Sequence, residues 1–153
     1  GNVGCYGSDH CKTPHIDRLA ATGTRFTHAW TGALCGPSRA LIMSGRYAFR
    51  NGASNQDAST AMPLGELRLG FLFKKAGYAT AAIGKWHVGL TWVDKNNQVL
   101  KGGFENSLLI DYEKSTPLID GPNARGFDES FITPNCPNTD PLYIYIENGM
   151  VGV

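Results

Sequence analysis

Gly77-Tyr78-Ala79-Thr80-Ala81-Ala82-Ile83-Gly84-Lys85-Trp86-His87-Val88-Gly89 is the stretch that decides how this chain folds. From Tyr78 to Ile83 it is an apolar run of buried-strand type, and it ends on Gly84-Lys85-Trp86-His87. Just upstream, Pro63 to Ala76 predicts a helix, with Leu64, Leu67, Phe71 and Leu72 in a core-facing stripe and Gly77 as its C-cap. Helix, glycine, then buried strand is the half-unit from which parallel α/β sheets are built. Lys85 and His87 then fall at the C-terminal end of a strand, where open α/β sheets bind ligands. On extended backbone, residues i and i+2 point the same way, so ammonium and imidazole can converge on one anion. The plain alternative is a solvated strand-end lysine and a histidine packed on Trp86. A phosphate-cradling G-x-x-x-x-G-K-[ST] loop does not fit, because position 79 is Ala and position 86 is Trp.

Working outward, Thr13-Pro14 opens an earlier helix, with a hydroxyl at the N-cap and proline at N1. Ile16, Leu19 and Ala20 follow at helical spacing, and Gly23 stops it. Thr24 to Trp30 alternates, with Phe26, His28 and Trp30 on one side, and predicts a short strand. A small-residue turn, Thr31 to Gly36, leads into a second proline-started helix from Pro37 to Met43. Residues 50–62 are polar and turn-rich and read as a surface loop. Residues 91–141 are weakly periodic, Tyr143 to Ile146 predicts a last strand, and Asn148-Gly149 is a turn signal. The second chemical cluster lies in this survey, at Cys35-Gly36-Pro37-Ser38-Arg39. A cysteine at the mouth of a helix, with an arginine one turn in, is suited to holding an anion. A reactive thiol and an ordinary buried cysteine are the other readings of the same residues.

The composition excludes several classes. The 153 residues carry 14 Lys+Arg against 13 Asp+Glu, and no basic run offers a stripe for tracking phosphates, so no nucleic-acid partner is expected. No stretch approaches the roughly 20 apolar residues of a membrane helix, so no membrane partner is expected either. The residues GNVGCYGSDH do not form a signal peptide. The 19 Gly and 8 Pro suit a loop-rich α/β chain. Of the four cysteines, Cys5 and Cys11 lie near His10 and His15, but their spacings do not match the usual zinc pairs, so zinc is disfavoured against a glycine-rich loop.

Taken together, Cys35-Gly36-Pro37-Ser38-Arg39 and Gly77 to Gly89 closely resemble the two signature motifs of the sulfatase family. Gly4-Cys5-Tyr6-Gly7, Thr13 to Ala20 and Gly126-Phe127-Asp128 resemble that family's N-terminal region, and Asp140 to Asn148 resembles the same region's tail in glycan-acting, arylsulfatase-like members. The resemblance implies part of a three-layer α/β/α sandwich with a mostly parallel sheet, alkaline phosphatase-like and incomplete. Residues 1–153 would then be the N-terminal portion of the catalytic domain.

It further implies that Cys35 is oxidised to formylglycine, an aldehyde. Its hydrate attacks the sulfur of a sulfate monoester with one hydroxyl and releases sulfate with the other. Pro37, Ser38 and Arg39 match the motif read with Cys35 by a formylglycine-generating maturation enzyme. Arg39 matches an arginine holding the diol, Lys85 a lysine bridging diol and sulfate, and His87 a histidine bonded to the diol. A Ca²⁺ ion, or Mg²⁺, would act as Lewis acid, with the position of Cys35 among its ligands. The family's Asp-Asp and Asp-Asn metal pairs are expected outside this chain, so the chain alone is expected to bind Ca²⁺ poorly and to be inactive. Ser44-Gly45 stands where Thr-Gly is usual. The expected substrate is a sulfated small molecule or glycan, and the expected compartment is periplasmic, secreted or lysosomal. A phosphatase or phosphonate hydrolase of the same superfamily, or a non-catalytic anion-binding domain, is the alternative.

Overall fold

The computed structural model describes residues 1–53, 62–66, 69–93, 96, 98–101, 118–134 and 144–151. The chain divides into two compact units, Gly1–Trp30 and Thr31–Val153.

In the first unit a 3₁₀ turn, Gly4–Tyr6, precedes helix α1, Pro14–Thr22. Proline stands at the helix start as expected, but the Thr13 hydroxyl does not cap the helix. It accepts the Gly4 N–H at 2.9 Å and donates to Asp17 Oδ1 at 3.0 Å, while Asp17 also accepts the Cys5 N–H at 2.6 Å. The first helical turn therefore pins the glycine-rich turn before it. Residues 24–30 form no strand. Their alternation is present, but they join no strand ladder among the described residues, and Trp30 stays 80% exposed. Alternation alone cannot make a strand without a backbone partner.

Among the described residues the second unit carries helices α2, Cys35–Ser44, α3, Ala48–Asn51, and α4, Leu69–Lys75, with six strands. These are β1 Ala81–Lys85, β2 Thr91–Val93, β3 Val99–Lys101, β4 Glu129–Thr133, β5 Ile146–Glu147 and β6 Met150–Val151. The main sheet has the order β1-β4-β5-β6: β1 and β4 are parallel, and β5 and β6 add an antiparallel ribbon. Asn148 and Gly149, at φ 48° and 81°, make the expected turn between β5 and β6. Strands β2 and β3 form a separate hairpin inside the span read as weakly periodic. The mixed α/β reading holds.

Several boundaries moved. The strand expected over 78–83 is β1, three residues further on at its start, because Gly77 and Tyr78 complete the helix end instead. Gly77 N–H reaches Lys74 O and Tyr78 N–H reaches Phe73 O, both at 3.0 Å, and the Phe73 and Tyr78 rings meet edge to face. This is a Schellman C-cap with its apolar contact. The helix expected over 63–76 is a 3₁₀ turn, Leu64–Glu66, and then α4, with Leu67 outside the described residues. Phe71 and Leu72 are exposed rather than core-facing, and the buried contact of α4 is Gly70. The last strand expected over 143–146 is β5, which begins at Ile146 and is followed by β6, and Tyr143 lies outside the described residues. Within the stretch read as a surface loop, Asn51, Ala53 and Met62 are buried, and 54–61 lie outside the described residues.

The core gathers Ala40 of α2, Ala82 of β1, Ile132 of β4 and Ile146 of β5 with Met62, Trp86, Val88, Leu90 and Trp92. Two polar clamps fix the sheet. Thr80 donates both its N–H and its hydroxyl to Asp128 Oδ2, at 3.1 and 2.9 Å, setting the start of β1 against the start of β4. Fully buried Arg125 forks onto Asp120 and donates to the carbonyls of Met62 and Pro63. A buried guanidinium is tolerable because these oxygens satisfy it.

Candidate functional site

Helix α2 and the chain leaving β1 converge at the C-terminal end of that strand. Helix α2 begins at Cys35, after Leu34 in an extended conformation that supplies no side-chain cap. Ser38, one turn in, donates to Gly32 O at 2.7 Å and Leu34 O at 2.8 Å, drawing the small-residue turn onto the helix mouth. Its hydroxyl thus shapes the turn. Gly36 and Pro37 are buried, which holds Cys35 at a fixed position on the helix rim.

Strand β1 delivers the other groups. Lys85 Nζ donates to Cys35 Sγ at 3.1 Å, and His87 Nδ1 lies 3.4 Å from the same sulfur. Lys85 and His87 do converge, but not by sharing one face of an extended strand. Gly84 has φ 92°, and His87, beyond the strand end, has φ 52°. The backbone turns twice to bring the two side chains to one atom.

Arg39 lies on α2 one turn from Cys35, and its Nε donates to the backbone carbonyl of Trp86 at 2.7 Å. It therefore ties the helix to the peptide between Lys85 and His87. Burial lowers the Arg39 pKa from its ordinary value, and the neighbouring charge at Cys35 works in the opposite direction. A guanidinium this basic stays cationic through such a shift. The site thus brings Lys85 and His87 to the Cys35 sulfur, with Arg39 bracing the backbone between them and Ser38 and Pro37 as its frame.

This arrangement can hold an anionic or nucleophilic atom at position 35 against an ammonium and an imidazole, at the start of a helix. The groups seen to converge there are one soft sulfur and nitrogen donors. Among the described residues no group of three or more His, Cys, Asp or Glu side chains could hold a metal ion, Cys5, His10, Cys11 and His15 included. A hard cation such as Ca²⁺ needs oxygen ligands, so the described donor set does not fit one. Sequence reasoning named Trp86 only as a surface for His87 to pack on, and missed its bonds to Gly89 and Arg39.

Comparison with known proteins bears on the same residues. A family model described as Sulfatase matches residues 1–139. Steryl-sulfatase of Mus musculus is 37% identical over 146 residues, covering 83% of this chain and 23% of that protein. N-acetylgalactosamine-6-O-sulfatase of Bacteroides thetaiotaomicron is 34% identical over 157 residues, covering 99% of this chain and 27% of that protein. A solved structure described with the metabolism of multiple glycosaminoglycans by Bacteroides thetaiotaomicron superposes with a TM-score of 0.73 at 30% identity, covering 99% of this chain and 29% of that one. The chain spans about a quarter of the length of the curated relatives it matches.

Proposed function

Because this chain belongs to the sulfatase family, we propose that it forms part of a sulfuric ester hydrolase in which residue 35, converted from cysteine to formylglycine, meets the ester. The observation that carries this reading is the convergence of Lys85 Nζ and His87 Nδ1 on Cys35 Sγ. The sulfur stands in for the oxygen that residue 35 would bear after conversion. Formylglycine, once formed, supplies a carbonyl whose hydrate has one hydroxyl for attack and one for release.

The roles of the chain's own groups follow from their charge and placement. Lys85 neutralises negative charge gathering at residue 35 and on a sulfuryl oxygen beside it. His87 Nδ1 exchanges a proton with a hydroxyl at residue 35, as a general acid–base group within hydrogen-bond reach. Arg39 keeps α2 and the end of β1 in register, so that these groups meet without reorganisation, and adds positive charge to the site. Gly36 and Pro37 are buried once α2 has packed. A maturation enzyme reading Cys35, Pro37 and Arg39 therefore acts before the helix docks.

The divalent cation implied by the family, Ca²⁺ or Mg²⁺, has no oxygen ligand set among the described residues, and no step is assigned to it. With a chain spanning about a quarter of its relatives, residues 1–153 are best taken as part of a larger catalytic domain that completes that half of the site. The substrate class is a sulfated carbohydrate. Its support is that the N-acetylgalactosamine-6-O-sulfatase and the glycosaminoglycan-associated structure each cover 99% of this chain. Export to the periplasm, the exterior or a lysosome fits the same reading, and no described helix is long and apolar enough to cross a membrane.

The test is turnover by the protein expressed from its complete reading frame with a formylglycine-generating enzyme. The panel holds an aryl sulfate, N-acetylgalactosamine 6-sulfate, a sterol sulfate and an aryl phosphate diester. Hydrolysis of the sulfates, fastest for the sugar, is expected, with Lys85→Ala and His87→Ala each slowing it by about 10²- to 10⁴-fold. Preference for the phosphate diester would move the assignment to a phosphohydrolase.

A further inference from the structure

His87 holds its ring at Cys35 from a left-handed backbone conformation, φ 52°, that is uncommon outside glycine. Such conformations persist only where the surroundings over-determine them. Both polar groups of the Trp86–His87 peptide are engaged: its carbonyl accepts from Arg39 Nε at 2.7 Å, and its N–H donates to Pro134 O at 2.9 Å. The Trp86 N–H also donates to Thr133 O at 2.9 Å, so the main chain is fixed on the side of β4.

The other side is fixed by a side chain. The Trp86 indole is 1% exposed, packs edge to face on Phe127 with ring centres 6.1 Å apart, and donates Nε1–H to Gly89 O at 2.8 Å. That bond closes the chain around His87 and Val88, both buried. Rotation about the N–Cα bond of His87 toward negative φ would swing its Cβ and carry the imidazole off position 35. The indole tie opposes that rotation.

We propose that Trp86 is a positioning residue: its Nε1–Gly89 hydrogen bond holds His87 in the left-handed conformation that aims Nδ1 at the reacting atom of residue 35. The proposal deepens the sulfatase reading and rests on it only for the chemical use of the contact. Its test therefore uses no turnover.

On the unconverted protein expressed from its complete reading frame without a maturation enzyme, alkylation of Cys35 by iodoacetamide is followed across pH by peptide mass spectrometry at residue 35, with thermal melting alongside. His87→Ala is expected to change the Cys35 rate at neutral pH by about tenfold, by removing a group in contact with the sulfur. Trp86→Phe keeps an aromatic ring but removes the donor, and should reproduce most of that change together with the altered pH profile. Phe127→Leu loosens the packing but leaves the donor, and should stay within about twofold of the parent. If Trp86→Phe fails to fold, replacing Trp86 by benzothienylalanine keeps the shape without the N–H and should give the same shift. A parental pH profile in the donor-less variants overturns the proposal. So does an equal effect from Phe127→Leu, or the absence of any effect from His87→Ala.

Discussion

At position 87, chemistry and backbone strain coincide in one residue, and the strain itself can be measured. A β-branched side chain at φ 52° is worse placed than asparagine, which tolerates the left-handed region. His87→Val should therefore cost about 1–2 kcal/mol more stability than His87→Asn, read from denaturant midpoints. A second residue-scale expectation concerns Arg125. Removing it in Arg125→Ala leaves buried Asp120 without its cation and takes the guanidinium donor from the Met62 carbonyl, while Pro63 O keeps the Glu66 N–H, and should cost about 3–5 kcal/mol. Asp128 gives a pH-dependent case. Its hydrogen bond and ion pair with Lys74, 2.6 Å away, and its bonds from Thr80 lower its pKa from the ordinary carboxylate value of 3.8. A depressed carboxyl stabilises the fold above its unfolded pKa and loses that contribution as pH falls through its own lower value. The stability gap between the parent and Asp128→Asn should be constant at neutral pH and close in acid below that value. Cys35, Arg39, Lys85 and His87 were legible as residues because a motif needs only local order along the chain. The bonds of Trp86 and Arg125 were not, since their partners Gly89, Asp120, Met62 and Pro63 become partners only through the fold.

Helices α1, α2 and α4 and strand β1 were legible in kind but not in extent, whereas the strand expected over 24–30 is absent and the β2–β3 hairpin was not foreseen. Gly77 was read as the helix end from sequence, and the Schellman bonds through Gly77 and Tyr78 explain why β1 starts at Ala81 instead of Tyr78. Two glycines of this helix separate two physical causes. Gly77 has φ 85° and open space where a Cβ would stand, so Gly77→Ala should cost only the conformational penalty, about 1 kcal/mol. Gly70 has no such φ, but its Cβ would meet Arg125 O at 2.8 Å and Gly126 C at 3.0 Å. Gly70→Ala must push α4 away from the Arg125–Gly126 turn and should cost more than Gly77→Ala in the same melt. The failure of the strand at 24–30 has a simple cause. Alternation reports a surface with two different faces, whereas a strand also needs a neighbour's backbone, and no periodicity reveals which neighbour arrives.

Among the described residues of the second unit, the parallel pair leaves apolar surface open. Ile83 of β1 is 80% exposed beside Phe131 of β4, its register partner, which stacks on Tyr145. Parallel pairs are normally covered on both faces, so this face fits a chain that spans about a quarter of its relatives. The same reasoning predicts that the isolated 153-residue chain binds Ca²⁺ weakly. Calorimetric titration should give no micromolar affinity, since the described residues hold no oxygen-rich cluster. The near balance of 14 basic and 13 acidic residues says nothing of local layout, in which Lys85 reaches the Cys35 sulfur and Arg39 stands one turn along the same helix as Cys35. All of this turns on what residue 35 becomes. The most direct measurement is the mass of the peptide containing residue 35, from protein made together with a formylglycine-generating enzyme. Conversion to formylglycine, a loss of about 18 Da relative to cysteine, is the predicted result. An unmodified thiol throughout the sample would contradict the account.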